Sequence, residues 1–172
     1  HSRPIITGQP FQIGRFQADP VGRPHLFFTP EEINHAKRRV RTENTCKKIL
    51  DHFLKTADEQ LAIDIQPLDE TWWETAKDKP WEQIYPEIYL NTSLKPRPYG
   101  YGAAVLGTAW LLTGKELYAE KASNLLMNLA PYTFKAEHYD VGMNYAGWGI
   151  LALKAYEALF DPAETPDGAI GR

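Results

Sequence analysis

The chain has 172 residues, of which 43% are hydrophobic and 24% are charged, and this composition is typical of a globular protein with a real core. Its net charge of −3 argues against a nucleic-acid-binding protein that neutralises phosphates, and no apolar stretch is long enough to span a bilayer. Five Trp, nine Tyr and seven Phe fit either a large core or a surface on which sugar rings or bases stack.

The two ends of the chain lack helical patterning. Residues 1–24 contain four prolines and three glycines, so no helical period survives there. We predict an extended N-terminal arm that lies across the domain through Phe11, Ile13 and Phe16. Residues 163–172 are polar and contain glycine and proline, which indicates a linker-like tail.

The clearest helix start follows the arm. Thr29 is predicted to be an N-cap with a proline at the first helical position, and Glu32 completes a capping box. Phe28 and Ile33 flank this start and are predicted to form a hydrophobic staple. The apolar positions that continue to residue 61 predict either one long amphipathic helix or two nearly continuous ones.

Residues 63–98 are different because five prolines interrupt any long element. We predict a long aromatic loop with a short helix at about residues 69–76. A loop of this length in a compact domain is usually functional or disordered, and its aromatic residues argue against disorder. Asn91 begins an Asn-Thr-Ser glycosylation sequon, a match that many unmodified sites share. The aromatic residues interleaved with the prolines are Trp72, Trp73, Trp81, Tyr85 and Tyr89.

The following part of the chain turns helical again. Residues 100–113 are apolar on nearly every side, which predicts a buried helix that ends at Gly114. The next helix, over residues 115–130, has one apolar and one polar face. A very short turn joins the two, so we predict an antiparallel helical hairpin whose first member is the more buried. A further apolar helix is predicted from about Asn144 to Phe160.

The stretch that is richest in polar and aromatic side chains comes just before that last helix and includes its start. Residues 138–148 hold a His, two Tyr, an Asp, an Asn and a Trp, with two glycines between them. Polar and aromatic side chains at the N-terminus of a buried helix can be kept in fixed positions by the surrounding fold. This arrangement is typical of a functional site. The alternative is a loop with an aromatic anchor and an Asp or Asn helix cap.

Three segments, in order, resemble the heparinase II/III and alginate lyase superfamily of polysaccharide lyases. They are Arg-Pro-His-Leu-Phe-Phe-Thr-Pro-Glu-Glu at residues 23–32, the hairpin at residues 101–122, and Met-Asn-Tyr-Ala-Gly-Trp at residues 143–148. The resemblance covers roughly residues 23–162. It implies an all-α fold in which antiparallel helical hairpins form part of an (α/α) toroid.

One departure from that family bears on how much of the toroid is present. The Asn-Asn-His segment common in those lyases does not occur in this sequence, and the predicted helices would close only part of a toroid. We therefore interpret residues 25–162 as a partial toroid domain and the chain as the N-terminal part of such a lyase or a trimmed form of one.

The resemblance implies cleavage of a uronic-acid-containing polysaccharide, such as alginate or a glycosaminoglycan, by β-elimination. One group must neutralise the uronate carboxylate, a base must remove the proton at C5, and an acid must protonate the leaving oxygen. Asn144, Tyr145 and His138 supply suitable residue types and are the candidate catalytic residues. Their structural alternatives are a helix N-cap for Asn144, a wall of the core for Tyr145 and an exposed loop position for His138.

Candidate substrate-binding residues come from the aromatic and proline-rich segments. Arg97 can pair with a uronate carboxylate bidentately, and Tyr99 and Tyr101 can stack on pyranose faces. The structural alternative is that the aromatic residues pack beneath a proline-rich turn or in the core. The further candidates for lining sugar subsites are Trp72, Trp73 and Trp148.

No metal site and no cofactor are predicted, because the sequence has no paired His spacing and no Cys cluster. The expected partners are an acidic polysaccharide or oligosaccharide and the remaining C-terminal part of the same polypeptide, and such a substrate implies a secreted or periplasmic protein. Two other functions stay open. One is a glycoside hydrolase on an α/α toroid, similar to an unsaturated glucuronyl hydrolase and using Asp140, and the other is a non-catalytic helical module that binds sugars or proteins.

Overall fold

The computed structural model describes residue 27 and residues 29–67, 69, 71–130 and 141–159, and for Pro30 and residues 141–145 it describes the backbone alone. The regular elements of these residues are all helical, which confirms the predicted all-α fold. None of the described helices is both long and apolar enough to cross a membrane. In chain order the elements are α1 (Pro30–Thr42), α2 (Asn44–Leu61), α3 (Trp72–Ala76), α4 (Trp81–Tyr89), a π-helical turn (Leu90–Leu94), α5 (Arg97–Thr113), α6 (Glu116–Leu129) and α7 (Val141–Leu159).

The start of α1 has the predicted capping box. The Thr29 hydroxyl accepts a hydrogen bond from the Glu32 amide at 3.2 Å, and the Glu32 carboxylate accepts one from the Thr29 amide at 2.9 Å. Glu43 has an extended backbone that separates α1 from α2, so the two-helix alternative is correct. Phe28 lies outside the described residues, and the hydrophobic staple stays a prediction.

The prediction of a long aromatic loop over residues 63–98 is wrong, because most of that segment is helical. Two of its prolines lie at helix starts, where a backbone N–H has no acceptor within the helix. Pro80 is the N-cap of α4, and Pro98 lies in the first turn of α5. Pro86 lies inside α4. That helix is held by Ile84 and Ile88, which are buried one turn apart.

Helix α5 is the centre of the described core. It is buried at nearly every position from Tyr99 to Ala109, whereas α6 is buried along one stripe only. Gly114 ends α5 in the left-handed conformation, with φ 71°, and α6 begins two residues later. Gly102, near the start of α5, faces Leu125, near the end of α6, so the two helices are antiparallel. The predicted hairpin and its burial contrast are therefore confirmed.

Helix α7 runs parallel to α5. Gly100 lies against Trp148, and seven residues further along, Gly107 lies against Ala155. The absence of a side chain matters at Gly100, because a Cβ atom there would come within 2.7 Å of the Trp148 backbone oxygen. The two glycines therefore allow a close approach of α5 and α7 in one fixed register.

Helices α2 and α6 run in the opposite direction to α5 and are tied to each other. The Tyr118 hydroxyl donates to the Asp58 carboxylate at 2.7 Å, and the Lys121 ammonium donates to the Ile63 backbone oxygen at 2.6 Å. Burial of its ring raises the pKa of Tyr118 to about 12, and the hydrogen bond to Asp58 adds to this effect. Helices α5 and α7 thus run in one direction, and α2 and α6 run in the opposite direction.

The start of α7 differs from the prediction. The helix begins at Val141 rather than near Asn144, so Asn144 lies inside it and the N-cap role considered for this residue is wrong. Gly142 lowers helix propensity in the first turn by about 1 kcal/mol relative to Ala. Packing of the following turns against α5 offsets that cost, and this packing is a tertiary effect that local sequence signals do not contain.

Candidate functional site

The π-helical turn between α4 and α5 carries three consecutive buried polar residues, Asn91, Thr92 and Ser93. Two of them bond back to the preceding helix: the Asn91 amide donates to the Glu87 backbone oxygen at 2.8 Å, and the Thr92 hydroxyl donates to the Ile88 backbone oxygen at 2.7 Å. Departures from α-helical geometry of this kind occur frequently at functional sites. Sequence analysis treated Asn91 only as the first residue of a glycosylation sequon, and its burial argues against a glycan there.

Two cations border the turn. The Lys95 ammonium donates to the Asn91 side-chain oxygen at 2.6 Å, and the Arg97 guanidinium donates to the Ser93 hydroxyl at 2.8 Å. Both cationic side chains are exposed, and the side chains to which they donate, Asn91 and Ser93, are neutral. Neutral partners orient a cation without cancelling its charge, so both remain able to attract an anion.

Among the residues that the structure describes, the Asp69 carboxylate lies near Lys95. The pKa of Asp69 is held below its ordinary value mainly by hydrogen bonds from the hydroxyl and backbone amide of Thr71, and the charge of Lys95 contributes to the effect. Asp69 is exposed, so water screens its attraction to Lys95.

The parallel packing of α5 and α7 brings two predicted clusters to one end of the fold. Gly100, one turn after Arg97 on α5, lies against the backbone of Trp148, near the start of α7. The Trp148 indole also donates to the Thr92 backbone oxygen at 2.9 Å. The first turns of α7, which contain Asn144 and Tyr145, therefore lie next to the π-helical turn and its cations.

The candidate catalytic side chains are not among the described groups. The side chains of Asn144 and Tyr145 are not described, and His138 and Asp140 lie outside the described residues. The structure therefore assigns no contacts to the candidate catalytic groups. It does place the backbone that carries Asn144 and Tyr145.

Most of the predicted sugar-stacking aromatics are packed rather than open. Tyr99 is buried in the core, and its hydroxyl donates to the Gln66 backbone oxygen and accepts from the Gln66 amide, both at 3.3 Å. Trp148 is buried in the same core. This burial favours a role in core packing over sugar stacking for Tyr99 and Trp148. Tyr101 differs, because its side chain is 45% exposed on the first turns of α5.

Trp72 and Trp73 pack against the smaller core cluster of Ala76, Ile84 and Ile88. Their rings form an edge-to-face pair with centroids 5.6 Å apart. Both side chains are half-buried, so packing accounts for part of each ring surface. Their role in lining a sugar subsite stays a prediction.

Helix α7 carries a buried carboxylate that was not predicted from the sequence. Glu157 is only 2% exposed, and its two carboxylate oxygens accept from the Phe27 amide at 3.0 and 3.2 Å. The available signal was its position between Ala155 and Ala158 on a mostly apolar helix. Glu157 therefore fixes the chain just before α1 to the last described helix.

Comparison of this chain with family models, with curated proteins and with solved structures found no match. The family resemblance noted in the sequence therefore remains a prediction.

Proposed function

We propose that this chain is a polysaccharide lyase, or the N-terminal part of one, that cleaves a uronic-acid-containing polysaccharide by β-elimination. The observation that supports it most is the meeting of Arg97, Lys95 and the first turns of α7 at one end of the fold. An acidic polysaccharide needs cations at its binding site, and the chain as a whole is negatively charged. A local cationic site on an acidic protein is a specific feature rather than a consequence of composition.

The proposed chemistry divides three tasks among these residues. Arg97, with Lys95 beside it, binds and neutralises the uronate carboxylate, which makes the C5 proton removable. Asn144 donates a hydrogen bond to the charge that develops on the carboxylate during proton removal. Tyr145 and His138 serve as the base that takes the proton and the acid that protonates the leaving glycosidic oxygen.

The helix directions are compatible with the proposed toroid. In an α/α toroid, neighbouring inner helices run parallel, and each is joined to the next by an antiparallel outer helix. Helices α5 and α7 are parallel, and α6 lies between them in sequence and runs antiparallel to α5. The stronger burial of α5 fits the role of an inner helix.

We further propose that additional helices of the same polypeptide complete the toroid. One face of α7 exposes Ile150, Leu153 and Tyr156, with exposed fractions of 55%, 54% and 47%. An apolar face of this kind on a hairpin-repeat fold is normally covered by the next repeat. The proposed substrate is extracellular, so we propose a secreted or periplasmic location.

An assay on acidic polysaccharides tests this function. The chain, joined to the remaining part of its polypeptide, is incubated with alginate and with a glycosaminoglycan, and both the ultraviolet absorbance of an unsaturated uronate and the number of new reducing ends are followed. A lyase produces both signals together. New reducing ends without absorbance would indicate a glycoside hydrolase, and calorimetric binding with neither signal would indicate a non-catalytic module.

A further inference from the structure

Two apolar cavities lie side by side between α1, α2 and the C-terminal half of α5. Each has a volume of about 350 Å³, and both are bordered by Ala36, Thr108 and Leu112. We call this continuous depression the α1–α2–α5 groove. Thr108 lies eleven residues beyond Arg97 on α5, or about 16 Å along the helix, so the groove is separate from the candidate site. Its other lining residues include Val40, Cys46, Ile49, Phe53, Phe27 and Ile33.

The groove leaves large apolar side chains open to solvent. Ile49 is 64% exposed and Phe27 is 38% exposed, at opposite ends of the groove. Cavities of this size and composition bind apolar groups. An exposed apolar surface at the edge of such a cavity marks a binding site rather than an ordinary solvated face.

The path of the chain indicates what occupies the groove. Phe27 lines one end of it, and the Phe27 amide is held by the buried carboxylate of Glu157. The described chain before α1 therefore begins at the groove itself. Phe16 lies eleven positions before Phe27, and an extended segment of that length can span about 36 Å. The cavity that Cys46 and Phe53 line shares a border with the cavity at Phe27, so a segment of that reach can extend along both.

We propose that residues 11–16 of the N-terminal arm bind in the α1–α2–α5 groove and cover Ile49 and Phe27. This segment, Phe-Gln-Ile-Gly-Arg-Phe, carries three large apolar side chains. In an extended chain Phe11 and Ile13 point to the same side and can enter the groove together. A covalently attached segment has an effective concentration of about millimolar, which favours it over a free ligand of similar contacts.

Cys46 provides a direct reporter of this contact. It is the single cysteine of the chain, it lines the groove, and it is half-buried. Its thiol donates a hydrogen bond to Glu43 at 3.3 Å, and this bond raises the pKa of the thiol. Glu43 lies outside the proposed contact and is the same in every variant, so alkylation rates measured at one pH report access to the groove.

The experiment compares Cys46 alkylation by a maleimide in three full-length chains. They are the wild type, the triple variant Phe11→Ser/Ile13→Ser/Phe16→Ser, and the control Ile5→Ser/Ile6→Ser, which removes apolar residues elsewhere in the arm. The triple variant should react at least about tenfold faster than the wild type, as expected when the undocked state is a minor population of 10% or less. The control should react at the wild-type rate.

A peptide of residues 8–20 then separates docking from general loosening of the fold. Added to the triple variant, it should slow Cys46 alkylation again, whereas a peptide with the same three Ser substitutions should not. Equal rates in the wild type and the triple variant would overturn the proposal. The proposal would also be overturned if an added apolar small molecule protected Cys46 from alkylation and the arm did not, because the groove would then be a ligand site.

If the triple variant does not fold, a single substitution replaces it. The full-length Ile13→Cys chain should form an intramolecular disulfide with Cys46 under mild oxidation, and Ser2→Cys serves as the control. A disulfide in the first chain and not in the second supports the proposal. Absence of the disulfide in the folded Ile13→Cys chain overturns it.

Discussion

The indole nitrogen of Trp148 donates a hydrogen bond to the backbone oxygen of Thr92 at 2.9 Å. This bond joins α7 to the π-helical turn, across 56 residues of sequence. It places the two segments that carry the candidate functional groups against each other. Trp148, predicted to line a sugar subsite, is therefore a buried residue that positions other groups.

Trp148→Phe should lower the free energy of unfolding by about 1–3 kcal/mol, because it removes the donor and leaves a buried carbonyl without this bond. Urea denaturation of the folded chain measures the change. The matched control is Trp81→Phe, since Trp81 is exposed and its replacement should alter stability by less than about 0.5 kcal/mol. Equal effects of the two substitutions would contradict a specific role for Trp148.

Two glycine-to-alanine substitutions should have opposite effects. Gly100→Ala places a Cβ atom within 2.7 Å of the Trp148 backbone oxygen, which cannot move without shifting α7, so about 1–3 kcal/mol of stability should be lost. Gly147→Ala meets nothing within 4 Å and should add about 0.5–1 kcal/mol through better helix propensity. Thermal unfolding of both variants checks the signs, and a loss of stability in Gly147→Ala would show that its helix face is covered.

The accuracy of the sequence-based predictions depended on whether the signal was local. The capping box at Thr29 and Glu32, and the helix stop at Gly114, each depend on backbone geometry within a few residues, and both are confirmed. The all-round burial of α5 also follows from its own apolar pattern. These features need no knowledge of what lies across the fold.

Features that depend on distant partners could not be predicted in this way. Tyr99 is buried because its hydroxyl finds both hydrogen-bonding groups of Gln66, 33 residues away. Glu157 is buried because the Phe27 amide, 130 residues away, meets its carboxylate. The proline-rich segment was predicted to be a loop because the packing of Ile84 and Ile88 against Trp72 and Trp73 is not visible in local propensity.

Tyr118→Phe should destabilise the chain by about 1–2 kcal/mol near neutral pH, because it removes the hydrogen bond to the Asp58 carboxylate. The folded-state pKa of Tyr118 is about 12, above its ordinary value of 10.0. The neutral hydroxyl is thus favoured by folding, and its contribution is fully present below pH 10 and is lost as the pH rises through 12.

Because folding raises the pKa of Tyr118, the effect of Tyr118→Phe on the free energy of unfolding should depend on pH. The difference in unfolding free energy between wild type and variant should be largest near neutral pH and should shrink at about pH 11. Denaturant titrations of both chains at the two pH values measure it. A difference that stays constant would show that Tyr118 titrates alike in the folded and unfolded states.

Asn144→Ala should separate catalysis from stability. Asn144 lies inside α7, where Ala has the better helix propensity, so stability should stay the same or rise by about 0.5 kcal/mol. Loss of a donor to a developing charge should lower turnover of a polyuronate about a hundredfold. Tyr145→Phe, which removes only a hydroxyl, tests proton transfer in the same assay. Normal turnover by both variants would remove these residues from the proposed mechanism.

Arg97→Gln should weaken binding to an acidic polysaccharide without disturbing the fold. The Gln amide can still donate a hydrogen bond to the Ser93 hydroxyl, whereas the charge and the bidentate geometry are lost. A charge-assisted contact is worth about 1.5–3 kcal/mol, so the dissociation constant should rise about tenfold to a hundredfold. Calorimetry with alginate oligosaccharides measures the constant, and thermal unfolding verifies that stability is unchanged.

The matched control for Arg97→Gln is Arg38→Gln, since Arg38 is an exposed arginine on α1, away from the π-helical turn. It changes the net charge by the same amount, so any effect of overall charge appears equally in both variants. Added salt should weaken binding by the wild type more than binding by Arg97→Gln, because the variant has lost one ionic contact. Equal affinities and equal salt dependence in the two variants would mean that the polysaccharide does not contact Arg97. The cationic end of α5 would then no longer support a lyase.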